Sequence, residues 1–220
     1  MINKDNLIAI STTIFNNKVS NKRRETLINN LSKYNIRLIL NKGLTKFDKT
    51  HRCFNNNLKR LLVFKESKFD YGLICDDDFF PVDNFIDELN KTVALLPNDW
   101  ACLHLCPGFL WGRTFRDKSK IGHLNPEFSI RSLDFHESGR FFQNCDNKLY
   151  HSMNCWLGGP EAFIIRKESI DRFIMLFTEY FKKNRQITDV IMTCMLNNRT
   201  FICREPQLGY EEENGGTTFK

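Results

Sequence analysis

At 220 residues, 41% hydrophobic and 26% charged, the chain has ordinary globular composition with enough length for a sizeable core, which excludes a disordered or fibrous protein. Its net charge of +6 is unevenly spread, with 15 Lys+Arg against 4 Asp+Glu in residues 1–68 and 17 against 22 beyond. A polyphosphate held between cations and metal-bound carboxylates accounts for both signs, whereas nucleic-acid binding accounts only for the first, so no nucleic-acid partner is expected.

Leu7 to Thr13 reads as a first strand ending in the hydroxyl cluster Ser11-Thr12-Thr13. A helix follows, with Leu27, Ile28 and Leu31 on its apolar face and Ser20 or Asn21 as its cap. Lys22, Arg23 and Arg24 in its first turn oppose the helix dipole, which points either to a nearby anion or to a plain surface helix. Ile36 to Leu40 forms a second strand, closed by turn chemistry at Asn41-Lys42-Gly43. From Arg52 to Glu66, the spacing of Phe54, Leu58, Leu61 and Leu62 predicts a helix with Asn55, Asn56, Asn57, Lys59 and Arg60 on its polar faces.

The next stretch is the most informative. Tyr71-Gly72-Leu73-Ile74-Cys75 is an apolar run of the kind buried on both faces, and it ends abruptly in Asp76-Asp77-Asp78. Three adjacent carboxylates cannot continue into a core, so they mark the C-terminal edge of a strand, where open α/β sheets bind ligands. A hard divalent cation, Mg2+ or Mn2+, is their natural partner and would in turn hold a substrate's phosphates. The plain alternative is a solvated acidic turn.

Asp83 or Asn84 then caps a helix carrying Phe85, Ile86, Leu89, Val93 and Leu96, stopped by Pro97. Trp100 to Cys106 alternates as a strand. Residues 107–148 show no sustained period and read as a functional loop region or small added hairpins. Leu149 to Leu157 is a further strand, followed by Gly158-Gly159, which suits either a close ligand approach or a tight turn. Ser169 to Phe181 is a helix with a core-facing aromatic stripe, Thr188 to Leu196 another, and Thr200 to Cys203 a last strand; the tail from Glu211 to Thr218 reads as mobile. Strands alternating with helices predict an α/β fold, a mainly parallel sheet flanked by helices in a single domain.

Eight cysteines include no Cys-x-x-Cys pair, so zinc spacing is absent. Cys75, Cys102 and Cys203 fall in predicted buried strands, where free thiols act as small apolar residues, and a reducing, cytoplasmic setting is expected. The opening Met1-Ile2-Asn3-Lys4-Asp5-Asn6 has no signal-peptide core, and no apolar run approaches about 18 residues, so no membrane span is expected.

This order of elements resembles the GT-A glycosyltransferases, in particular the family 25 type, which includes lipopolysaccharide and procollagen galactosyltransferases and viral members, and equally the chlorovirus-type GT-A domains. The resemblance rests on Lys22-Arg23-Arg24-Glu25 after the first strand, Leu73-Ile74-Cys75-Asp76-Asp77-Asp78, Leu96-Pro97-Asn98-Asp99-Trp100, the glycine turn entering Phe163-Ile164-Ile165, and Asp189 before a helix. It implies a GT-A (Rossmann-like) domain over residues 1–220, with a nucleotide-sugar-binding half at 1–106 and an acceptor half at 107–220. It implies a UDP-sugar donor, Mn2+ or Mg2+, and a glycan or glycoprotein acceptor. Asp76 and Asp78 would serve the metal, with Asp76 and Asp77 beside the nucleotide. Ser11, Thr12 and Thr13 would flank the nucleoside, Arg23 or Arg24 would reach the diphosphate, and Gly158-Gly159 would admit the sugar. Asp189 resembles an acceptor-side acid. The chain departs from the pattern at Asn56-Asn57, where many members carry Ser-His, and in having no histidine after His151; Glu211, Glu212 or water would supply a third metal ligand.

Sugar transfer also makes its own demands. The diphosphate leaving group needs cationic stabilisation, and inversion needs a carboxylate to take the acceptor proton. Asp189 is the first candidate and Glu161 the second, each set against a purely helix-terminal role. Arg113, Arg116, His123, His136 and Glu137 are possible acceptor contacts. The competing readings are a catalytically degenerate nucleotide- or glycan-binding protein and a sugar-phosphate nucleotidyltransferase, though the latter usually has a Gly-rich loop after its first strand and Ser11 to Asn17 contains no glycine.

Overall fold

The computed structural model describes residues 1–15, 18–96, 98–105, 142–144, 149–152, 162–184, 200–203 and 208–211. Its centre is an eight-stranded sheet: β1 (Leu7–Thr13), β2 (Arg37–Lys42), β3 (Tyr71–Cys75), β5 (Cys102–His104), β6 (Phe142–Asn144), β7 (Leu149–Ser152), β8 (Ala162–Arg166) and β9 (Thr200–Cys203). The spatial order is β2-β1-β3-β8-β5-β9-β7-β6. Of these eight strands, β8 and β7 run against the others, so the predicted mainly parallel α/β sheet is present. A separate two-stranded ribbon joins β4 (Phe79–Pro81) to β10 (Gly209–Glu211).

Helices cover both faces. On one side lie α1 (Lys18–Ser32) and α3 (Phe85–Val93), whose Leu27, Leu31, Phe85 and Leu89 pack on Leu7, Ala9, Leu73 and Ile164. On the other lie α2 (Lys49–Glu66) and α4 (Ile170–Asn184), whose Phe54, Leu61, Phe64, Phe173 and Phe177 pack on Ile8, Ile10, Ile74 and Phe163. Successive residues of β1 therefore serve opposite layers, as the strand's two-residue period requires.

Several expectations change here. The run after Gly158-Gly159 is more than a turn: β8 lies antiparallel between β3 and β5 and completes the core. The second strand extends through Asn41 and Lys42. Ahead of the predicted tail, of which only Glu211 is described, Leu208 is buried, its N–H donates to the Leu105 carbonyl at 3.3 Å and its own carbonyl accepts from Val82. Asn84 holds the N-cap position of α3 in a left-handed conformation without a side-chain cap, and Asp87 and Glu88 answer that helix's dipole instead. Helix α1 starts at Lys18, so Lys22 to Arg24 stand beyond its first turn and the dipole argument lapses. Of residues 107–148 only Phe142–Asn144 are described, as β6, which pairs antiparallel with β7.

Helix α2 is tied down at both ends. Asp48 accepts from the His51 N–H at 3.1 Å at the start. At the other end the Lys167 ammonium donates to the Phe64 carbonyl at 2.9 Å and to those of Lys65 and Ser67, and lies over the Phe64 ring. Against that ring passes Gly72 of β3, where a Cβ would come within 2.7 Å of it. Gly72→Ala should therefore lower stability by about 1–3 kcal/mol through overpacking. Phe64→Leu in the same chain should recover part of that loss, giving a favourable coupling in a urea-denaturation double-mutant cycle.

Candidate active site

Strand β3 ends where Cys75 pairs with Ser11, two residues short of the end of β1, and the chain then turns through Asp76-Asp77-Asp78 into β4. The carboxylates thus stand at the C-terminal edge of a parallel set of strands, as predicted from the abrupt end of the apolar run. They do not stand alone. Arg23 of α1 approaches Asp78 at 2.9 Å and Asp77 at 3.6 Å, all three side chains being buried. From the opposite layer, Arg60 of α2 donates to Asp76 Oδ1 at 2.7 Å and to the Cys75 carbonyl at 2.6 Å, and its other arm meets the Asn57 amide oxygen. Asp76 is the accessible member, with half its side chain exposed.

Among the described residues, two guanidiniums stand against these three carboxylates. The Asp77 carboxyl is pushed above the ordinary range, chiefly by burial and further by Asp76. The Thr13 hydroxyl, facing it outside strict hydrogen-bond geometry, and Arg23 pull the other way. The Cys75 thiol beside the cluster is fully buried and pushed up by desolvation, so it is a neutral core group.

Around this cluster lies a rim of polar atoms. The hydroxyls of Ser11 and Thr12 and the Asn41 amide nitrogen are buried without a hydrogen-bond partner among the described residues. Strand alternation sends Ser11 and Thr13 to the α1 face and Thr12 to the α2 face. Asn56 fixes the neighbouring loop by accepting from the Leu44 N–H at 2.9 Å. Arg24 is not with Arg23: its guanidinium lies 5.1 Å over the Phe15 ring. In register, Glu211 of β10 stands opposite Phe79, the residue after Asp78.

Periodicity assigns Asn56, Asn57 and Arg60 to polar helix faces, yet all three are buried. The signal that finds them is their spacing to core positions: Asn56, Arg60 and Phe64 form one stripe at four-residue intervals, as do Arg23, Leu27 and Leu31. His104 is a further polar residue that the sequence does not single out. It sits on β5 beside Phe163, 2% exposed, with Nε2 unpartnered among the described residues. Asp189, Glu161, Gly158, Gly159, Arg113, Arg116, His123, His136 and Glu137 lie outside the described residues.

The donor set suits a hard cation. Oxygen ligands alone are on offer, and Mg2+ commonly takes one or two carboxylates and completes its shell with water and substrate phosphates. Asp76 and Asp78 provide that much. Among the described residues no group of three or more His, Cys, Asp and Glu converges on a single point, so such an ion would depend on phosphate oxygens. Arg23 already holds Asp78 and would have to share it.

No protein-family model matches the chain, and no curated protein does. Among solved structures it is similar to A197 from STIV, at 10% identity over 97% of both chains with a TM-score of 0.45. It is also similar to a glycosyltransferase involved in the glycosylation of the major capsid of PBCV-1, at 9% identity over 81% of this chain and 68% of that one, TM-score 0.42. A third similarity is to S. aureus TarS 1-349, at 13% identity over 94% of this chain and 60% of that one, TM-score 0.49. At these identities and TM-scores the neighbours leave the chemistry to be argued from the residues.

Two measurements probe the site's electrostatics. Arg23→Met should destabilise the protein by about 3–5 kcal/mol, because buried carboxylates lose their cation; adding Asp78→Asn should restore a large part, read as a coupling energy in urea denaturation. His104 is held neutral by burial, with its pKa lowered from 6.5 to about 4. Unfolding frees it to take a proton, so its contribution is complete above about pH 6.5 and is lost as pH falls toward 4, with a slope of at most ~1.4 kcal/mol per pH unit. His104→Met should flatten the stability–pH curve in that window and leave it unchanged above it.

Proposed function

We propose that the chain is a metal-dependent glycosyltransferase of the GT-A kind, moving a hexose, glucose or galactose, from a UDP-sugar to a hydroxyl of a glycan or glycoprotein. The observation that carries the reading is the pairing, at one sheet edge, of an exposed carboxylate with unpartnered buried hydroxyls. Asp76 offers charge, while Ser11, Thr12 and Asn41 offer hydrogen bonds unused among the described residues. A nucleoside diphosphate has matching parts, since ribose and base bring donors and acceptors and the diphosphate brings a need for cations.

Asp76 and Asp78 would hold a divalent ion, which would supply positive charge against the leaving diphosphate. The chain's own residues do the rest. Arg23 and Arg60 hold the three carboxylates at fixed positions, so the charged edge is built before substrate arrives. Ser11, Thr12, Thr13 and Asn41 line the nucleoside's place. Gly158-Gly159 admits the sugar. In an inverting transfer, Asp189, or failing it Glu161, takes the proton of the acceptor hydroxyl. Glu211, opposite Phe79 in the register of β10, is one candidate for a further metal ligand, beside Glu212 and water.

One observation favours a second reading. Arg23 neutralises Asp78 internally, which suits a protein that binds a nucleotide without a metal and without turnover. Titration calorimetry with UDP, UDP-glucose, UDP-galactose and GDP-mannose, with and without Mn2+, separates the two. Metal-dependent binding of one UDP-sugar is expected, lost in Asp76→Ala and weakened roughly tenfold in Ser11→Ala by removal of a charge-free hydrogen bond. Metal-independent nucleotide binding would establish the second reading, and no nucleotide binding under any condition would sink both.

A further inference from the structure

The corner where edge strand β2 ends carries both exposed apolar side chains and cations. Thr13 and Lys42 are the last paired residues of β1 and β2, and the Gly43 N–H donates to the Thr13 carbonyl at 2.8 Å. The β1–α1 and β2–α2 connections therefore leave the sheet side by side. On them and on the start of α1, Phe15, Val19, Leu44 and Phe47 are exposed, Phe47 by 65%. Phe47 also has φ of 81°, in the left-handed region that bulky side chains rarely adopt. An aromatic ring held out to solvent on strained backbone calls for a partner.

Charge singles out the same corner. Residues 18–24 and 42–52 hold eight Lys+Arg and one Asp+Glu. The lone acid, Asp48, is already engaged, capping α2 and pairing with His51 at 2.6 Å. Arg23 turns inward to the carboxylates. Arg24 lies along the Phe15 ring, an arrangement that keeps an apolar face and a charged head together at one surface.

We propose that this corner docks the protein peripherally on an anionic lipid bilayer, with Phe15, Leu44 and Phe47 entering the headgroup–acyl boundary and Lys18, Lys46 and Lys49 among the headgroups. Isolated apolar side chains on adjacent loops, ringed by cations, match that boundary in both polarity and charge. A nucleic acid would use the cations but gain nothing from Val19 or Leu44. No described helix is long and apolar enough to cross a membrane, so the attachment is to the surface. Docked this way, the sheet edge bearing Asp76 faces the bilayer. The inference rests on the two connections and is independent of the donor-site reading.

The test is co-sedimentation of the full chain with extruded vesicles of phosphatidylcholine alone and of phosphatidylcholine with phosphatidylglycerol, across a salt series. Binding is expected only to the anionic vesicles and should weaken with salt. Two double variants divide the contributions. The first is Leu44→Ser with Phe47→Asn, where asparagine is at home at positive φ and protects the fold; the second is Lys46→Glu with Lys49→Glu. Each should weaken partitioning roughly tenfold or more, with the urea midpoint confirming that the protein is folded. If the charge-reversed pair is unstable, the salt series on the unaltered chain carries the electrostatic half. Absence of binding to anionic vesicles overturns the proposal. So does full vesicle binding by the apolar double variant, or binding to single-stranded RNA that is tighter than to vesicles and that this variant leaves intact.

Discussion

Carboxylates at the mouth of a hydrophobic strand repel one another and resist burial, and the fold answers with one guanidinium from each helical layer. Arg23 descends from α1 to Asp77 and Asp78, and Arg60 rises from α2 to Asp76 and the Cys75 carbonyl. Each arginine is the continuation of an apolar stripe: Arg23 precedes Leu27 and Leu31, and Arg60 precedes Phe64. The core that docks the helices thus also aims the guanidiniums. In both helices the stripe is apolar over the sheet and polar nearer the helix start, because each helix enters from the C-terminal edge of the strand before it. The transition from core to site is written along a single helix face.

That arrangement explains which parts of the molecule can be read from sequence. Strands β1 and β3 and helices α2 and α4 announce themselves through periodicity, and the abrupt Asp76-Asp77-Asp78 ending needs only the rule that charge cannot enter a core. Strand β8 is concealed for a different reason. Its five residues are largely apolar, but periodicity carries no information about where a strand inserts, and only three dimensions place it between β3 and β5. The β4–β10 ribbon has three residues on each side and no period to detect; it exists because Leu208 is buried and pulls the tail back to the carboxylate turn.

The polar stripe of α2 shows a deeper limit. A helical wheel separates apolar from polar positions, yet it treats bulk water and a polar site edge as the same thing. Asn56, Asn57 and Arg60 therefore read as solvent-facing residues until Arg60 is seen to meet the end of β3, with Asn57 against its other arm and Asn56 holding the Leu44 N–H. Arg23 is legible as a residue in search of an anion. The anion it finds is the protein's own, which sequence order hides because the partners are supplied by separate elements, α1 and the turn after β3.

Charge accounting at this edge constrains any ligand. Among the described residues two guanidiniums are set against three carboxylates, and a diphosphate arriving alone would add negative charge beside them. It must either bring a cation or draw Arg23 away from Asp78. The second route strands a buried carboxylate, a cost of several kcal/mol, whereas a divalent ion satisfies Asp76, Asp78 and the phosphates together. A diphosphate would therefore bind this edge at lower cost with a cation than without one, and Arg23 is the cation that the fold itself sets against Asp77 and Asp78.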